Sequence, residues 1–174
     1  MAAAAPVSIA SSPMDELDCR LWDFAGVDGL QTAIALFSAA VSHLAPFQSR
    51  SVALNSAPAT LLRLCENNFR VALPENVDFR AALTPLPSNV WVKPCQTANL
   101  VLSPAVGLER LAQIAVTKPR FRLTPLPLNQ AVPARINGTA ILVWHQLWQE
   151  QPRLLIQTAR VDIESVQAAF DREA

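Results

Sequence analysis

From Gly29 to Gln48 the chain runs for 20 residues without one acidic or basic side chain. Within that run Leu30, Ala33, Ile34, Phe37, Ala40, Val41 and Leu44 recur at steps of three and four, which puts them on one face of a helix. Asp28 stands at the N-cap position, Gln31 occupies the place of a capping-box partner, and Pro46 stops continuation. The spacing predicts a helix over 28–44. Its other face holds Leu36, Ala35 and Ala39 beside Gln31, Thr32, Ser38, Ser42 and His43. A solvated helix face ordinarily carries charge, so this helix is expected to be covered on most sides, by its own domain or by a partner. That makes Leu30, Ile34, Leu36, Phe37 and Val41 candidate interface residues. A membrane span needs about 20 predominantly apolar residues. The polar residues that interrupt this run, and the lack of a close basic flank, argue against one.

The chain has 174 residues, of which 16% are charged and 51% hydrophobic. That charged share is well below the roughly 25% of an ordinary soluble domain. The formal net charge is zero. A surface short of charge favours association, which points to a homo-oligomer or a protein partner. Fourteen prolines against four glycines leave little material for a phosphate-cradling loop, and neither GxGxxG nor GxxxxGK[ST] is present. The stretch 1–12 carries no basic residue and reads as a flexible leader, with a single α+β domain over 13–174. Cys19, Cys65 and Cys95 are odd in number and far apart, with neither a disulfide framework nor zinc spacing. A reducing cytoplasm is the expected compartment.

Taken in order, Ser12-Pro13 predicts a first helix, with Leu17, Leu21 and Phe24 facing inward, so that the chain opens as a helical pair. Pro58 to Asn67 reads as another short helix. After Asn68 the segments shorten and become β-compatible: NFRVALP, DFRAALTPLP, NVWV, TANLVL and PRFRLTPLP. Their prolines mark edge strands or strand ends. Ser103-Pro104 starts a helix reaching Thr117. Thr139–Leu147 and Arg153–Val161 read as a hairpin with a longer connection, and Asp162 caps a last helix. Arg80 to Asn89 resembles Arg120 to Asn129, and Thr97–Val101 resembles Thr139–Val143. These matches raise a β pseudo-repeat, 80–102 and 120–144, against the simpler reading that LTPLP is a convenient strand ending in a chain rich in Leu and Pro.

Charge is unevenly spread. Between residues 79 and 149, Arg80, Lys93, Arg110, Lys118, Arg120, Arg122 and Arg135 face Glu109 alone, while both ends of the chain are acidic. Arg110, Lys118, Arg120, Arg122 and Arg135 therefore form a candidate anion-binding set for nucleic acid or another polyanion over 110–135. The competing account pairs this basic middle with the acidic ends inside one fold or across subunits.

Catalytic motifs are lacking. His43 and His145 have no HExxH setting, no CxxC exists, and no GxSxG elbow occurs. Neither catalytic residues, nor a metal, nor a cofactor is assigned. A Cys–His pair formed in space, or a pocket holding His145 or Cys95, keeps a small-molecule or enzymatic site in the β portion open. Trp144 and Trp148 share a face in a strand and suit a core or an interface. The fold class expected is α+β: an N-terminal helical pair, then a mostly antiparallel, proline-edged sheet with helices packed on one side. The function expected is a non-catalytic cytoplasmic binding or assembly protein acting through homo-oligomerisation or protein–protein contacts. The alternatives are polyanion binding and a small-molecule site.

Overall fold

A computed structural model describes residues 17–86 and 89–172. The leader 1–12 lies outside the described residues. The first half of the chain gives β1 (Arg20–Ala25), α1 (Gly29–Phe37), β2 (Ser49–Leu54), β3 (Ala57–Cys65), β4 (Asn68–Leu73), α2 (Phe79–Leu83) and β5 (Trp91–Pro94). The second half gives β6 (Thr97–Leu102), α3 (Pro104–Ile114), β7 (Ala115–Thr117), β8 (Gln130–Ile136), β9 (Thr139–Trp148), β10 (Gln151–Ala159) and α4 (Ile163–Asp171). The class is α+β, with two antiparallel five-stranded sheets. Sheet 1 runs β2-β3-β4-β1-β5 and sheet 2 runs β6-β10-β9-β8-β7.

The sheets stack face to face with helices on both outer sides. Ala33 of α1, Val41, and Phe79 and Leu83 of α2 pack on Trp22, Phe24, Leu61, Phe69, Val71 and Leu73 of sheet 1. Leu111 of α3 and Ile163, Val166 and Ala169 of α4 pack on Leu100, Ile136, Val143, Leu154 and Ile156 of sheet 2. Leu21, Leu62, Ala72, Ala131, Trp144, Trp148 and Leu155 fill the layer between the sheets. Strands buried on both faces lose the apolar–polar alternation that a half-exposed sheet shows. The strand prolines respect pairing. Pro58, Pro133 and Pro152 each pair on one flank at a position that the strand on the other flank does not reach.

Several expectations need correction. The single sheet with helices on one side is two sheets with helices on both outer sides. The N-terminal helical pair is not formed, because Arg20–Ala25 is an inner strand of sheet 1. The helix over 28–44 ends at Phe37, and a separate 3-10 turn covers Ala39–His43. Asp28 makes no cap bond; its Oδ2 accepts instead from the Asn89 N–H at 2.7 Å. Ala57–Cys65, read as a helix, is a strand. DFRAALTPLP, read as a strand, holds α2, whose cap Asp78 accepts from the N–H groups of Arg80 and Ala81. PRFRLTPLP forms no strand. Hence Arg80–Leu83 and Arg120–Leu123 differ in structure. Thr97–Val101 lies in edge strand β6, while Thr139–Val143 lies in inner strand β9. The β9–β10 connection is a tight Gln149–Glu150 turn, with both residues at positive φ.

Candidate functional site: the seam between the sheets

One side of the sandwich is stitched closed. Phe47 donates its N–H to the Arg63 carbonyl of sheet 1, and its own carbonyl accepts from the Ala131 N–H of sheet 2. On the other side the free edges β5 and β6 follow one another, joined by Cys95 and Gln96. Two residues span about 10 Å, so the end of β5 at Pro94 and the start of β6 at Thr97 lie close. The layer between the sheets meets solvent there.

The seam gathers charged and polar side chains from both sheets. Lys93, Asp23 and Arg70 stand opposite one another across β5, β1 and β4, which places them on one face of sheet 1. On sheet 2, Asn99 stands opposite Gln157. Arg70 Nε donates to Asp23 Oδ1 at 2.6 Å and Nη2 to Oδ2 at 2.9 Å, a two-pronged ion pair. Arg70 Nη1 donates across to Gln157 Oε1 at 2.5 Å and so ties the sheets together. Burial works against the Arg70 charge. The Asp23 carboxylate, as hydrogen-bond acceptor and as charge, outweighs burial and holds the guanidinium above the ordinary arginine range. Gln157 Nε2 is buried with no hydrogen-bond partner. At the rim Cys95 Sγ lies 3.3 Å from Thr97 Oγ1, which donates to Asn99 Oδ1 at 3.4 Å. Trp91 and Val101 stand 49% and 41% exposed beside the opening, with Lys93 Nζ 5.1 Å from the Trp91 ring centre. Lys93 has no carboxylate within 4.0 Å among the described residues.

Both Asp23 oxygens accept from the Arg70 guanidinium. No group of three or more His, Cys, Asp or Glu is placed to hold a metal among the described residues. His145 Nδ1 lies 2.9 Å from the Leu126 carbonyl on the helix side of β9, whereas Cys95 packs into the layer between the sheets. The structure does not bring those two together.

The residues predicted for interfaces divide. Trp144 and Trp148 are buried between the sheets, so they are core and offer no surface. Trp144 Nε1 donates to Ser49 Oγ at 3.0 Å, another link across the layer. Val41 is buried, and Leu30, Ile34, Leu36 and Phe37 are half-buried against the sheet 1 core. Of the basic set, Arg110 Nη2 donates to the carbonyls of Ala169 and Arg172 near the end of α4. Arg135 Nη1 donates to Gly138, and the Arg120 guanidinium lies over the Phe121 ring. Lys118 and Arg122 are exposed. Sequence reasoning missed Asp23, Arg70 and Gln157. Their signal was a lone charge inside an apolar strand, in RLWDFA and in NFRVAL, which demands a buried partner.

No family model matches the sequence, and no curated protein matches it. Solved structures do match in fold. Glycine cleavage system aminomethyltransferase T from Bartonella henselae aligns at TM-score 0.67 and 14% identity, over 88% of this chain and 43% of that one. The chain thus spans less than half of that protein. A chain of heterotetrameric sarcosine oxidase from Corynebacterium sp. U-96, in complex with pyrrole 2-carboxylate, aligns at TM-score 0.60 and 18% identity, over 88% of this chain and 78% of that one. At these identities the likeness is one of fold. No helix among the described residues is long and apolar enough to cross a membrane.

Proposed function

We propose that this chain is a non-catalytic component of a multi-chain enzyme assembly, joined to its partner along the open β5–β6 side. The observation that carries the reading is the match in fold to 78% of one chain of a heterotetrameric enzyme. Exposed Trp91 and Val101 supply the apolar anchor typical of interface hot spots. The free backbone of β5 and β6 supplies hydrogen-bonding groups for an added strand. Lys93, with no carboxylate within 4.0 Å among the described residues, suits a partner segment that brings apolar side chains and a carboxylate. The 16% charged fraction supports the same reading. The test is to tag the chain, isolate it from its native source and measure the intact mass and sarcosine oxidation of the isolate. A fixed-ratio heteromeric species that oxidises sarcosine is expected. A bare monomer or a homo-oligomer contradicts the proposal.

A second reading, binding of a small molecule in the β portion, draws support from the fold, since both neighbours are named for chemistry on small molecules.

A further inference from the structure

On the outer face of sheet 1, away from the seam, a groove of about 350 Å³ runs between α2 and β5. Leu83, Leu86, Val90 and Val92 contribute apolar side chains and Arg80 and Thr84 polar ones, and the surface the groove presents is more polar than apolar. The Thr84 hydroxyl is engaged with the Arg80 carbonyl at 3.0 Å. The Arg80 guanidinium is different. It has no carboxylate within 4.0 Å and no hydrogen bond among the described residues. Arg80 is exposed, and its Cζ lies 5.9 Å from the centre of the Trp22 ring. Trp22 itself is 5% exposed, and its indole N–H is buried without an acceptor. A cation beside an aromatic face, rather than paired with an acid, keeps its fork of donors available.

We propose that this groove binds a small carboxylic acid with an apolar body. The carboxylate takes the Arg80 guanidinium, and the body lies against Leu83, Leu86, Val90 and Val92. The groove is small and open to solvent, which suits a compact acid of benzoate or hexanoate size. The proposal rests on the small-molecule reading and is independent of the assembly reading, whose residues lie on the other face of sheet 1.

The test is a titration of the full chain with benzoate and hexanoate, followed by methyl and indole N–H resonances in two-dimensional NMR. Saturable shifts are expected at Leu83, Val90 and Val92 and at the Trp22 indole. Benzamide and hexanamide are expected to bind at least about tenfold more weakly, as is either acid to Arg80→Gln, because a hydrogen bond to a charged group is lost in each case. The remaining methyl resonances of Arg80→Gln report that it is folded. Equal binding of acid and amide overturns the proposal, as does an unchanged affinity in Arg80→Gln. Shifts confined to Val101 and Leu155 at the seam also overturn it, while leaving the small-molecule reading in place. Absence of shifts with either acid overturns it outright.

Discussion

Asp23 and Arg70 are the two charges that this fold takes out of water together, with side chains 14% and 11% exposed. Removing one partner of such a pair strands the other, at a cost of about 3–5 kcal/mol. Asp23→Ala is therefore expected to lower unfolding stability in urea by about 3 kcal/mol, the small figure of that range because the seam is open at one side. Asp23→Leu combined with Arg70→Met is expected to recover more than half of the loss. A double variant no better than the single would show that the pair itself stabilises the native state. Cys19 offers a second residue-scale check. Burial pushes its thiol from the ordinary 9.0 to about 11, although Arg153 beside it pulls the other way. The unfolded chain then releases this proton at lower pH than the native chain, so stability is full below about pH 9 and falls as pH rises toward 11. Cys19→Ala should flatten that part of the pH–stability curve, and a thiol reagent at pH 8 should modify exposed Cys65 well before Cys19. Asp23 and Arg70 stand as charges among apolar residues in RLWDFA and NFRVAL, and that much was legible in the sequence. That they partner each other was not, because 47 residues separate them and only strand register brings them together.

Helices and strands in this chain were legible in proportion to how many of their faces reach water. Pro104–Ile114 and Ile163–Asp171 each keep one solvent face, and their period and Ser-Pro or Asp starts located them, although Ala115–Thr117, read as the end of the former, is strand β7. Arg20–Ala25 and Ala57–Cys65 are covered by helices on one side and by the opposite sheet on the other. Their apolar residues lose the period of two and so resembled a helix. The first helix was overextended because the 3-10 turn after Phe37 continues its apolar spacing at Val41 and Leu44. Gly107 shows how tightly one element is seated. A Cβ there would lie 2.7 Å from Leu154 Cδ2 and 3.0 Å from Leu102 Cβ. In an exposed helix, Gly→Ala gains up to about 1 kcal/mol. Here overpacking, at about 1–3 kcal/mol, should exceed that gain. Gly107→Ala is expected to lower the unfolding midpoint by pushing α3 off sheet 2. A raised midpoint would mean that Leu102 and Leu154 give way freely.

At the scale of the molecule, the α+β class was readable but the sandwich was not, since nothing local in a strand says which sheet it joins. The open side was equally hidden: Trp91, Lys93 and Val101 look ordinary in sequence and become a surface only when β5 and β6 end two different sheets side by side. The account stands on that side being a partner face. The most direct test is the native mass of the tagged chain from its own source, measured in parallel with a Trp91→Ala, Val101→Ser variant. The account predicts a fixed-ratio heteromeric mass for the natural chain and the mass of the bare, folded chain for the variant. A natural chain that runs alone, or a variant that stays in the complex at full stoichiometry, would contradict it.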